Sequence, residues 1–276
     1  MNVSQKEKAL RFVELHRRSQ PFVIANAWDG GSARLLAGLG FEAIATSSGA
    51  SAGVLGRVDG QISRDEALTQ VRIITAATDL PVSADLEKGF ADAPSAVAET
   101  IQLAADSGVV GASIEDASGD AAKPIYEFAF AVERIAAAVE AARGLPFPFT
   151  LTARCENFLN GRNDLDDTIR RLQAYEKAGA DVLFAPNLPS LDAVHAVCSS
   201  LTKPVNFMVG RRGKSFSVKE LGDAGVRRIS LATSLFRAAM QGLREAALEV
   251  KTRGTFSYID TTMSTAEWSS FMQKPS

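Results

Sequence analysis

The feature that most constrains this chain is a helix exit that recurs along its length. Four segments leave a helix in the same way: Ala37-Gly38-Leu39-Gly40-Phe41, Asp106-Ser107-Gly108-Val109, Lys177-Ala178-Gly179-Ala180 and Asp223-Ala224-Gly225-Val226. A glycine after the last helical turn supplies the left-handed residue of a C-cap, and the residue after it packs back. Its return means that one unit repeats: strand, loop, amphipathic helix, glycine, next strand. Eight strand candidates fit that rhythm, at 21–28, 42–47, 80–87, 111–116, 149–155, 181–186, 204–209 and 228–233. Most are continuous apolar runs, as expected of parallel strands covered on both faces. A polar helix from about Ser4 to Arg18 precedes them, Ser63-Arg64-Asp65-Glu66 is a capping box, and Leu165 to Ala178 has helical apolar spacing.

Eight such units in 276 residues fit a (β/α)8 barrel. The runner-up, a doubly wound open sheet, lacks the glycine fingerprint that follows a strand at a dinucleotide site. The expected organisation is a barrel over residues 1–254 and an extension over 255–276. That extension carries Phe256, Tyr258, Trp268 and Phe271, more aromatics than a free end would present to water.

Composition narrows the function. Hydrophobic residues make up 46% and charged ones 22%, enough to bury a substantial core. A formal net charge of −2 gives no electrostatic case for nucleic acid or an anionic membrane as partner. Cys155 and Cys198 are the only cysteines, too few for a disulfide framework or a cysteine zinc site. No apolar run is long enough to cross a bilayer and no signal-peptide segment opens the chain, so a cytoplasmic address is expected. Both histidines, His16 and His195, fall in helix-like segments, which argues against hydrolase triads and histidine zinc sites.

In barrels of this kind the chemistry sits where strands end. The most telling end is Val82-Ser83-Ala84-Asp85-Leu86-Glu87-Lys88-Gly89-Phe90, where strand alternation points Asp85 and Glu87 the same way. Glu115 and Asp116 close the next strand. Crowded acids repel unless a cation or a shared proton neutralises them. Asp85, Glu87 and Glu115 read either as oxygen ligands of a hard divalent cation or as a solvated acidic rim. Arg154 ends the fifth strand and reads either as a carboxylate clamp or as an ion pair within that ring. Cys155, next along, should face away as a buried thiol. Trp28, Asn187, Asn206 and Ser230 end other strands. The turn Thr46-Ser47-Ser48-Gly49 could cradle an anion on its backbone N–H groups. The Arg211-Arg212-Gly213-Lys214 loop reads as an anion contact or as a solvated loop.

Taken together, these residues resemble the isocitrate lyase/phosphoenolpyruvate mutase superfamily over nearly the whole chain. The likeness is carried in order by Asn26-Ala27-Trp28-Asp29 with Ser32-Ala33, Thr46-Ser47-Ser48-Gly49, Asp59, Asp85-Leu86-Glu87-Lys88-Gly89-Phe90 and Ile114-Glu115-Asp116. It continues through Thr152-Ala153-Arg154, Ala178-Gly179-Ala180-Asp181 and Lys203-Pro204-Val205-Asn206. The resemblance implies a Mg²⁺-assisted lyase-type enzyme, with Mn²⁺ as a substitute ion, acting on 2-oxo acids or their precursors through a stabilised enolate. It carries metal contacts onto Asp85, Glu87 and Glu115, partly through water. Substrate contacts fall on Trp28, Ser48, Gly49, Asp85, Arg154 and Asn206. Arg154, Asp59 and Glu115 would take part in catalysis. It also implies a homo-oligomer, commonly a tetramer that exchanges a helix near the C-terminus.

The departure lies in the fourth βα loop. Isocitrate and methylisocitrate lyases carry Lys-Lys-Cys-Gly-His there, with the cysteine as proton donor. This chain reads Ala117-Ser118-Gly119-Asp120-Ala121-Ala122-Lys123-Pro124-Ile125-Tyr126, without a cysteine and without the lysine–asparagine element of the phosphonate enzymes. Lys123 and Tyr126 are the candidates for a loop-borne acid or anchor, against a surface lysine and a packing tyrosine. The start of the loop is expected to be mobile. A small substrate such as oxaloacetate fits best, with phosphonopyruvate chemistry or a non-catalytic 2-oxo acid-binding barrel as alternatives.

Overall fold

The computed structural model describes residues 3–213 and 216–273. Its strands are β1 (Phe22–Asn26), β2 (Ile44–Ala45), β3 (Val82–Asp85), β4 (Gly111–Glu115), β5 (Thr150–Arg154), β6 (Val182–Phe184), β7 (Val205–Met208) and β8 (Arg228–Ser230). They pair in parallel in sequence order and close into a barrel, β8 returning to β1 through Phe22 opposite Arg228. The helices are α1 (Gln5–Arg17), α2 (Gly30–Gly38), α3 (Ser48–Val54), α4 (Arg64–Ala77), α5 (Pro94–Asp106), α6 (Phe128–Arg143), α7 (Leu165–Lys177), α8 (Leu191–Ser199), α9 (Val218–Asp223), α10 (Ser234–Arg253) and α11 (Thr265–Met272). The fold is the (β/α)8 barrel that the repeat predicts. No helix among the described residues is long and apolar enough to cross a membrane.

The repeated glycines are left-handed as required: Gly108, Gly179 and Gly225 have φ of 92°, 104° and 101°. A side chain at Gly225 would also lie 2.8 Å from Cys198 Cβ, so both conformation and space demand glycine there. The strands end earlier than the apolar runs suggest. β3 stops at Asp85, and Glu87 lies beyond it with φ 51°. Strand alternation therefore does not set the direction of Glu87; a left-handed turn does.

Helix α1 closes the N-terminal end of the barrel. Ala9, Phe12 and Leu15 pack with Phe22, Ile24, Ala43 and Val110 in a separate buried cluster. Lys8 reaches the Thr78 carbonyl at 2.8 Å, and Gln5 donates to the carbonyls of Ala105 and Val109. His16 sits edge-on to the rings of Phe12 and Phe22. The Phe12 carbonyl lies 2.8 Å from Nδ1, and because a carbonyl only accepts, Nδ1 carries the proton.

The C-terminal part departs from the barrel. Helix α10 runs exposed for 20 residues, with Met240, Leu243, Leu248 and Val250 in solvent. Its buried Glu249 accepts from Thr255 and Ser257, turning the chain back. Helix α11 then settles on α2, with Trp268 over Gly31 and Phe271 over Gly38. A Cβ on Gly38 would meet the Phe271 ring at 2.5 Å, so this small residue makes the seat.

Burial, reinforced by the Arg228 charge, pushes the His16 pKa down to about 3. The unfolded chain therefore binds a proton that the folded chain refuses between roughly pH 6.5 and that value. Stability is full above about pH 6.5 and falls by about 1.4 kcal/mol per unit as pH drops below it. Urea unfolding at pH 7 and pH 4.5 should show this loss in the wild type and a smaller one in His16→Gln. Equal losses in the two proteins would remove His16 as the cause.

Candidate active site

At the C-terminal mouth of the barrel one guanidinium is surrounded by three carboxylates. Arg154 Nη1 lies 2.8 Å from Asp85, Nη2 3.0 Å from Glu115, and Nε 2.9 Å from Glu156. Phe184 lies 5.1 Å beneath the guanidinium carbon. Burial alone would lower the Arg154 pKa, but Glu115, Glu156 and Asp85 more than reverse that and hold it well above its ordinary value. The same burial pushes Glu115 and Glu156 up. One cation is thus set against an excess of acid.

Asp85 is fixed on several sides. Its backbone N–H donates to Thr46 Oγ1, Ser113 Oγ donates to Oδ1, and the Ser48 backbone N–H donates to Oδ2 at 3.1 Å. The small-residue turn after β2 is in fact the start of α3, with Ser47 as N-cap. Gly49 is needed there because a Cβ would stand 3.0 Å from Thr233 and 3.1 Å from Asp59.

Glu87 hangs from a run of left-handed residues, with Gly89 at φ 84° and Phe90 at 58°. Its carbonyl accepts from Glu115 N–H at 3.0 Å, so the turn is pinned to β4. Glu87 Oε1 is buried with no hydrogen-bond partner among the described residues. Burial, with the charges of Asp85 and Asp59, pushes its pKa up to about 7. Among the described residues no three acid, imidazole or thiol groups converge as a ready-made ligand set. The donors are nevertheless all oxygens, in excess over the base they face, and one is unpartnered. That chemistry suits a hard divalent cation that keeps part of its water shell.

A cavity of about 320 Å³ opens beside this ring, lined among others by Ser48, Asp59, Asp85, Arg154, Asn206 and Arg228. Residues 12–251 match the phosphoenolpyruvate phosphomutase family. The chain belongs to that family. Its 2-methylisocitrate lyase relative from Escherichia coli K12 is 30% identical over 90% of this chain and 86% of its own length. A Bradyrhizobium oxaloacetate decarboxylase is 31% identical over 75% and 71%. A solved Burkholderia cenocepacia J2315 structure, assigned only provisionally as a lyase/mutase, is 51% identical with a TM-score of 0.96, covering 98% and 97% of the two chains. The chain is accordingly an enzyme of the isocitrate lyase/phosphoenolpyruvate mutase type.

The family residues expected from the sequence do not all gather. Ser48, Asp59, Asp85, Arg154 and Asn206 line the cavity, with Gly49 directly behind Asp59. Glu115 and Glu87 adjoin it through Arg154 and Asp85. Trp28 instead packs edge-on against Phe236 of α10, 5.5 Å between ring centres, and is not in the cavity wall. Lys123 is exposed and outside the wall. Its loop is tied down rather than open. Ala117 bridges Ile125, Ser118 N–H donates to the Pro124 carbonyl, and Lys88 reaches the Ser118 carbonyl at 2.8 Å. Tyr126 is bonded to Asp92 and lies under Arg134. Arg211 lines the rim, while Lys214 lies outside the described residues. Cys155 is buried, as its place in the strand predicts, and burial raises its pKa.

Two important residues escaped the sequence reading. Arg228 enters the barrel interior from β8; alternation with Ser230 was the available signal. Arg134 of α6 is fully buried and donates to the carbonyls of Lys88, Ala91, Asp92 and Glu115. Its spacing from Ala131 and Ala138 put it on the apolar face of its helix. Arg134→Met should strip a donor from all those carbonyls and cost about 3 kcal/mol in urea unfolding. A loss below about 1 kcal/mol would mean that water replaces the guanidinium.

Proposed function

We propose that this family member is a Mg²⁺-dependent lyase acting on a small 2-oxo or 2-hydroxy acid, with an oxaloacetate-like substrate favoured. The observation that carries the reading is the acid-rich ring around Arg154 at the wall of a closed-barrel cavity. Asp85 would hold the metal, with Glu87 and Glu115 reaching it directly or through water. A bound Mg²⁺ would supply positive charge where the substrate's oxo oxygen turns negative, which is the chemistry an enolate needs. Arg154 has five N–H donors and spends three on carboxylates, leaving others for a substrate carboxylate. Asn206 is held rigid by Arg228 and Ser230, which favours orientation over proton transfer. Asp59 is the exposed acid at the mouth, and Glu115 stabilises Arg154 in its catalytic position.

The names of the relatives support both C–C cleavage and decarboxylation, and the loop over the site favours the second. Loss of CO₂ needs electron density drawn to the oxo oxygen but no acid at the departing group. The loop from Ala117 offers no cysteine, and Lys123 is exposed outside the cavity wall, so the proposed machinery leaves it out. A missing general acid costs about a hundredfold or more. Steady-state assays with Mg²⁺ should therefore give kcat/KM for oxaloacetate at least about a hundredfold above that for methylisocitrate. Asp85→Ala should lose the activity and weaken calorimetric Mg²⁺ binding at least about tenfold without unfolding the barrel. Efficient methylisocitrate cleavage would overturn the loop argument. Tight 2-oxo acid binding without any product would favour a binding protein.

Assembly belongs to the same proposal. The proposed division is a catalytic unit over residues 1–254, whose last helix α10 leaves the barrel wall, and an extension over 255–276. The apolar face of α10 is available to another copy. Light scattering should give a homo-oligomer, a tetramer by family resemblance, weakened by deleting residues 255–276. A monodisperse monomer contradicts it.

A further inference from the structure

The cavity is electrically lopsided. Asp59 and Asp85 stand on its β2–β3 side, while Arg211 and Arg237 stand at the rim near β7 and β8. Arg228 rises between them from inside the barrel, 5% exposed. Its Nε donates to Asn206 Oδ1 at 2.8 Å, a neutral partner. Its Nη1 is buried with no hydrogen-bond partner among the described residues. Thr152 Oγ1, also on an inward-facing strand position, is likewise buried and unpartnered. The charge felt at Arg228 is that of Arg154, another cation, and among the described residues no carboxylate offsets it. Arg154 meanwhile has three carboxylates of its own. A buried cation without a counter-ion is costly, and a planar guanidinium held by Nε keeps its far edge free for an oxyanion.

We propose that Arg228 forms an inner anion subsite in the barrel, which receives the second anionic group of a dianionic substrate. The first carboxylate of that substrate would lie toward Ser48 and Arg154, so the inference rests on the functional reading above and makes its substrate class specific. A monocarboxylate such as pyruvate would leave Arg228 uncompensated. A dicarboxylate supplies both ends. Arg228 is thus the residue that discriminates the two, from the floor of the cavity rather than from a loop.

Two measurements separate this subsite from the reading it rests on. Without metal, inorganic phosphate should raise the melting temperature of the wild type saturably and leave Arg228→Met unmoved. With Mg²⁺, calorimetry should give malate about tenfold tighter binding than lactate in the wild type, falling to within about twofold in Arg228→Met. Malate and lactate differ by one carboxylate, so the ratio reads the second anionic group alone. Arg228→Lys should keep part of it, and Arg228→Gln replaces the methionine variant should that protein fail to fold. A phosphate response equal in wild type and variant, absent responses included, or a malate preference that survives the substitution, overturns the subsite. Loss of Mg²⁺ dependence for both acids, with the phosphate response still confined to wild type, overturns the metal reading and leaves the subsite standing.

Discussion

The site depends on the contact of Arg154 with Asp85, Glu115 and Glu156. Each of these acids comes from a different stretch: the end of β3, the end of β4 and the residues just after β5. Without the guanidinium, three carboxylates would face one another in a poorly solvated space. Breaking such a buried arrangement on one side costs about 3–5 kcal/mol, because the remaining charges stay behind unpaired. The ion pair therefore does two things at once. It lets a barrel concentrate acid at one end, and it aligns three consecutive strand ends to the same depth.

A second arginine supports the first from outside. Arg134 gathers the carbonyls of the loop after β3, and that loop holds Glu87 and Phe90 in left-handed conformations that non-glycine residues adopt at a cost of about 1–3 kcal/mol each. The Glu115 carbonyl joins the same guanidinium. The helix layer thus sets the backbone from which the acids project, and strain at the mouth is held by a residue with no access to the cavity.

The architecture was largely legible because it repeats. Apolar runs recur in every unit and glycine exits in four of them, and a closed parallel barrel is the arrangement that buries the runs. Ser48, Asp85 and Arg154 could be read as well, since position at a strand end is itself a prediction of place, whereas Asp59 came only with the family resemblance. What sequence did not convey was direction and partnership. Glu87 lies past its strand and is aimed by a turn. Trp28 follows β1 yet finds Phe236, some two hundred positions away. Lys123 sits in the right loop, but the loop closes on its own hydrogen bonds. Arg228 and Arg134 carry charge where the surrounding pattern is apolar, and only tertiary contacts say what each charge serves.

The seat of α11 on α2 has an optical consequence. The chain has two tryptophans, Trp28 and Trp268. Trp28 lies just before α2 against Phe236, and Trp268 rests on Gly31 in the first turn of the same helix. Every indole in the protein therefore reports on one junction, where the first strand, the departing α10 and the returning C-terminal helix meet. Emission from the native protein is blind to most of the barrel wall and sensitive to the docking of its last helix, so a two-step fluorescence trace would register the undocking of that helix before the barrel itself opens.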